Sequence, residues 1–235
     1  MLHHIIENGN FHHFTQSLFK TSNWERIGGE ILFRSELGAP DVIFQQAKTV
    51  NKLFELETKS IFKIFHSHNL QESASKGLIF VNIFPSTILH KEFPGFIKSL
   101  SFQFPEISKK IVFEIIETDY VENIYSFKEE INFIKSLGFQ IAIDDVGKGF
   151  SSLHLIIELE PHFIKLDRYF SINLSSSPLK QEMIKSILLY AHFSKTNVVL
   201  EGIEEEMDLA VAKALGVDIC QGFLLHKPQP IIDFV

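Results

Sequence analysis

Cysteine is almost missing from this chain. Cys220 is the only one in 235 residues, so no internal disulfide can form and a reducing cytosol fits. It lies in the apolar run Val217-Asp-Ile-Cys220, where a buried, inert thiol is expected. Long apolar stretches are missing too. None approaches the roughly 18 residues that a membrane span needs. The first residues, Met1-Leu-His-His-Ile-Ile-Glu7, lack a basic region followed by a long apolar one, so no signal peptide and a cytoplasmic location are expected. There is no run of Lys and Arg, and the formal charge is −7, which argues against DNA as a partner. An anionic substrate must then be held by local cations or by metals.

What the chain does have is apolar mass and rhythm. It is 45% hydrophobic with 24 Phe, enough for a sizeable core, and its length suits one large domain spanning 1–235. Short runs rich in β-branched and apolar residues recur at Gly77–Phe84, Lys110–Ile116, Phe139–Asp144, His162–Asp167, Asn197–Glu201 and Val217–Gln221. Amphipathic stretches of helical length lie between several of them: Ser126–Leu137, Leu179–His192 and Glu205–Leu215, with Gly138 and Gly216 as stops. The start is different. Phe11–Phe19 and Arg26–Arg34 are strand-like and joined only by a short polar turn, which predicts an antiparallel pair. With the six later runs this gives eight strands. The expected fold is α/β, a modified TIM (β/α)8 barrel whose first strand is antiparallel.

Polar residues interrupt or end these apolar runs: Glu30, Asn82, Glu114, Asp144, Lys165, Glu201 and Gln221. Asp144-Asp145 leads straight into Val146-Gly147-Lys148-Gly149, a carboxylate pair followed by a glycine loop. Burying a carboxylate costs several kcal/mol, as an order of magnitude, unless it is paired or metal-bound. In a barrel of this kind, sites gather at the carboxyl ends of the strands. Carboxylates with an amide oxygen are hard ligands suited to Mg2+ or Mn2+, whereas zinc favours His and Cys. Taken singly, these features have plainer readings: Asp145 or Ser151 as a helix cap, and Asn82 before Pro85 as turn chemistry. Caps do not explain why successive strands all end this way. The eleven histidines, including His3-His4, His12-His13 and His66-Ser-His68, are expected to be surface or structural groups.

These residues resemble the EAL domain family, bacterial phosphodiesterase modules acting on cyclic di-GMP. Glu30-Ile-Leu-Phe-Arg34 matches the Glu-Ala-Leu-x-Arg signature. Val81-Asn82, Glu114-Ile-Ile-Glu117, Asp144 to Leu153, Ile164-Lys-Leu-Asp167, Glu201-Gly-Ile-Glu204 and Gln221 to Pro228 follow in the family's order. The resemblance runs from about Ile5 to Pro230 and implies metal-dependent hydrolysis of cyclic di-GMP to linear pGpG. It implies two Mg2+ or Mn2+ ions, one at Glu30, Asn82, Glu114 and Asp144, the other at Asp144, Asp145 and Glu201. Lys165, Glu201, Gln221 and Glu117 are implied as catalytic or supporting groups, with Glu117 anchoring the glycine loop. Arg34, Leu32, Asp167 and Gln16 are implied on the substrate. A homodimer through the 145–153 loop region is a further family expectation. No attached sensor or cyclase domain is expected, because the barrel uses the chain.

The chain also departs from the family pattern. Ile31, Ser35, Ile116, Val146, Lys148 and Lys48 replace a frequent Ala, Trp, Thr, Phe, Thr and Glu. None of these changes removes an implied metal ligand. The altered loop keeps a second reading in view: a weak or inactive member that binds cyclic di-GMP as a receptor. A third, a barrel hydrolase for another phosphodiester, fits the ordered motifs less well.

Overall fold

The computed structural model describes residues 2–67, 77–116, 123–148 and 152–231. Eight strands close a barrel in chain order: β1 (His12–Lys20), β2 (Arg26–Arg34), β3 (Leu78–Ile83), β4 (Ile111–Ile115), β5 (Gln140–Val146), β6 (Phe163–Leu166), β7 (Asn197–Leu200) and β8 (Ile219–Cys220). From β2 to β8 each strand is parallel to the next. β1 runs antiparallel to β2, with Gln16 opposite Glu30, and antiparallel to β8, with Phe19 opposite Cys220. The antiparallel start expected from the short turn is therefore present. A ninth strand, β9 (Gln229–Pro230), pairs with β1 at Phe14 and Thr15 beyond the end of β8.

Helices cover the outside. The expected helical stretches appear as Ile124–Ser136, Pro178–Ser194 and Glu206–Leu215. Their ends follow local chemistry. Asn123 Oδ1 accepts from the amides of Tyr125 and Ser126, Pro178 opens its helix, and Gly216 at φ 87° closes the last one. Among the described residues no helix is long and apolar enough to cross a membrane.

Strand periodicity sets apart two of the three apolar clusters, the third lying where the first helix meets Phe33 and the helices after β2. Ile79, Val81, Ile111, Phe113, Ile141, Ile143, Ile164, Val198, Leu200 and Cys220 belong to the main cluster that also takes in the helices. The alternate residues Leu18, Phe80, Val112, Ala142, Phe163, Val199 and Ile219 form a separate cluster, the plug of the barrel. Cys220 is buried, as its apolar run predicts, and burial pushes its thiol up to about 12.

Candidate active site

Two residues beyond each plug residue, on the same face of the strand, stands a polar one. Phe80 leads to Asn82, Val112 to Glu114, Ala142 to Asp144, Phe163 to Lys165, Val199 to Glu201 and Ile219 to Gln221. β2 contributes Glu30, two residues past Gly28; β1, running the other way, contributes Gln16, two residues before Leu18. The period of two and the parallel register thus raise an apolar floor with a polar layer above it.

Lys165 is the centre of that layer. Its Nζ lies 2.5 Å from Glu114 Oε1, 2.6 Å from Glu201 Oε1, 3.1 Å from Asp144 Oδ1 and 3.6 Å from Glu30 Oε2. Glu30 is held between two amides: Asn82 Nδ2 donates to Oε1 at 3.1 Å and Gln221 Nε2 to Oε2 at 2.8 Å. Seven of the residues singled out by sequence therefore converge.

Four carboxyl groups around one ammonium do not balance. Burial raises Glu114 well above the usual carboxylate range, against the pull of Lys165. Burial likewise raises Asp144, and pushes Glu201 up to about 8. For Lys165, burial works downward, but Asp144, Glu114, Glu201 and Glu30 outweigh it and hold the ammonium well above its usual value. Three negative charges remain unmatched if all four carboxyls ionise, and a low-dielectric site resolves that by taking up protons or cations.

Two buried oxygens, Glu114 Oε2 and Gln221 Oε1, have no hydrogen-bond partner among the described residues. Among those residues, no three His, Cys, Asp or Glu side chains form a ready metal cage; the carboxylates gather on Lys165 instead. The all-oxygen donor set and its orphaned atoms fit a hard divalent cation.

The implied substrate residues fall into two adjoining cavities. Gln16, Asp167 and Asp145 line a mouth of about 290 Å3 together with Glu30, Glu201 and Gln221. Leu32 and Arg34 line a second cavity of about 390 Å3 with Asn82 and Phe84. The Glu30–Asn82 hydrogen bond stands between them. Arg34 donates to its neighbour's carbonyl, Phe33 O, at 2.8 Å and lies over the Phe14 ring. Asp167 caps the short helix Arg168–Ser171, accepting from Tyr169 N at 2.8 Å, and also borders the mouth.

Asp145 does not join the Lys165 cluster. Its backbone is left-handed, at φ 53°, and its Oδ2 lies 3.1 Å from Lys148 Nζ. Val146 is packed in the main core at 3% exposure. Glu117 lies outside the described residues, as do 149–151 of the loop expected to form a dimer. The histidines behave as structural or surface groups: His13 is buried on Ser60 Oγ at 2.9 Å, and His3, His4 and His12 are exposed, while His68 lies outside the described residues.

Two features escaped the sequence reading. Glu57 is buried, and both its oxygens accept from Phe84 N, at 3.2 and 3.4 Å, just past Asn82. Burial pushes its carboxyl up to about 8. The available signal was a carboxylate four residues after Leu53 and four before Ile61, on the apolar face of the helix Leu53–His66. The second is Arg168, whose Nη2 reaches Glu204 at 2.9 Å and whose stem packs against Gly202, the residue after Glu201.

Fold and site define an α/β-barrel protein with an acidic, cation-seeking centre. The sequence model of the EAL domain family matches residues 1–228, and the chain belongs to that family. It is 31% identical over 153 residues, 65% of its length, to the cyclic di-GMP phosphodiesterase PdeF of Escherichia coli. That match covers 20% of PdeF, so the chain corresponds to a small part of this relative's length. An EAL domain protein from Listeria monocytogenes superposes with a TM-score of 0.84 at 23% identity, covering 96% of this chain and 91% of that one. BlrP1 of Klebsiella pneumoniae, in a manganese and cyclic di-GMP complex, superposes at 0.83 with 22% identity, covering 94% of this chain and 56% of its own. BlrP1 also has a calcium and cyclic di-GMP complex. These structural likenesses carry the fold.

Proposed function

We propose that this chain hydrolyses cyclic di-GMP to linear pGpG and so lowers the level of that second messenger. The observation that carries the reading is the polar layer itself: Glu30, Glu114, Asp144 and Glu201 around Lys165, with Asn82 and Gln221 steering Glu30. Family membership and the named phosphodiesterase relative support it.

Mg2+ or Mn2+, two ions held by Glu30, Asn82, Glu114 and Asp144 and by Asp144, Asp145 and Glu201, would supply activation of the attacking water. The rest falls to the protein. Lys165 holds a fixed positive charge at the strand ends, where negative charge builds on a phosphoryl group. Gln221 and Asn82 fix the Glu30 carboxylate by its two oxygens. Gln16 and Asp167 border the mouth, and Leu32 and Arg34 the neighbouring cavity, so an extended dinucleotide spanning both would meet all four. In the reaction, a water oxygen bonds to phosphorus and one ester bond to a 3′ oxygen breaks. The phosphate stays on the 5′ side.

The Lys148–Asp145 contact favours a second reading, a receptor that binds cyclic di-GMP without turning it over. Incubating the purified chain with cyclic di-GMP and Mn2+ or Mg2+, then separating products by chromatography, decides between them. Conversion to pGpG supports the enzyme; tight binding with intact cyclic di-GMP supports the receptor.

A further inference from the structure

The loop after β5 places a cation on Asp145, at the edge of a mouth whose own lining cation, Arg168, is already paired with Glu204. Lys148 Nζ lies 3.1 Å from Asp145 Oδ2, and the contact is set by the backbone. Lys148 N donates to Asp145 O at 3.1 Å, closing a turn through Asp145 at φ 53° and Gly147 at φ 103°. Gly147 lies so close to the Phe170 ring that an added Cβ would collide with it, so the turn is pinned from behind. Yet Lys148 is 65% exposed by side chain, so its head exchanges readily with water. Asp145 shares the mouth with Glu201 and Asp167, while Glu114 and Asp144 face Lys165 further in.

We infer that Lys148 is a built-in competitor for a divalent cation at Asp145, setting the affinity of the outer cation position and leaving the inner one alone. This rests on the two-cation reading above. A cation reaching Asp145 must displace the ammonium from the carboxylate. It then shares the mouth with a like charge on a tethered side chain. An exposed ion pair is weak, and the added repulsion is screened by water, so the combined effect is about three- to tenfold in affinity.

The test is calorimetric titration of Mn2+ into the metal-free native protein, Lys148→Gln and Lys148→Arg, with no substrate present. The expected result is two classes of site in the native protein. Lys148→Gln should tighten the weaker class by about three- to tenfold and leave the tighter class unchanged, and Lys148→Arg should titrate like the native protein. Equal curves for native and Lys148→Gln would overturn the inference while leaving the two-cation reading standing. So would equal tightening by Gln and Arg, or a shift of both classes together. No Mn2+ uptake by any of the three proteins would overturn that reading and the inference with it.

Discussion

Lys165 Nζ lies 2.5 Å from Glu114 Oε1, and both side chains are sealed from water, at 1% and 0% exposure. An ammonium in that position is the counter-ion of the whole polar layer. Removing it leaves buried carboxylates facing one another, a change that costs about 3–5 kcal/mol. Lys165→Met is therefore expected to lower the unfolding temperature, and Mn2+ to restore part of the loss by replacing the missing charge. Its kcat should fall by about 100-fold or more, with KM changed less. Thermal unfolding with and without Mn2+, together with steady-state kinetics, checks this. An unchanged kcat would remove Lys165 from the chemistry.

The oxygen ligands make a second expectation. Alanine at Glu30, Asn82, Glu114 or Asp144 should abolish hydrolysis, since each change removes an oxygen-bearing side chain from the proposed inner cation position. Calcium should inhibit. Its bonds of about 2.3–2.6 Å and looser geometry suit this layer less well than the roughly 2.0–2.1 Å octahedral shell of Mg2+. Rates measured across the four variants, and with Ca2+ replacing Mg2+, test it; full activity in excess chelator would count against any cation role.

Glu57 gives a pH dependence whose sign follows from its burial. The folded state raises its carboxyl from 4.5 to about 8, so between those values the folded protein keeps a proton that the unfolded chain has lost. Stability from this group is then intact at low pH and declines as pH rises toward 8, by up to about 1.4 kcal/mol per unit. Glu57→Gln, which still accepts from Phe84 N, should remove that slope and gain on the native protein as pH rises. Denaturant unfolding at pH 5, 6.5 and 8 measures it. Parallel pH profiles for the two proteins would show that Glu57 is ionised in the fold.

The polar layer was legible in the sequence because strands repeat every two residues. Once Val112 and Phe163 are assigned inward, Glu114 and Lys165 must follow on the same face. The antiparallel β1 was legible from the shortness of its turn. β9 was not: two residues, one of them proline, carry no apolar run, and their pairing with Phe14 and Thr15 arises only when the barrel closes. Glu57 was hidden because the face of a helix is broad, so one carboxylate on it looks like surface until the packing of Phe84 is known. The turning of Asp145 toward Lys148 depends on a left-handed backbone angle, which the pattern of apolar residues does not encode.

The central claim is that water is split across a phosphodiester at the Lys165 layer. Running the reaction in water enriched in oxygen-18, with cyclic di-GMP and Mn2+, and weighing the linear product by mass spectrometry tests it directly. The account predicts pGpG carrying a single solvent oxygen on its terminal 5′-phosphate, formed by the native protein and not by Glu114→Ala. Cyclic di-GMP recovered intact, or a linear product without solvent oxygen, would contradict it.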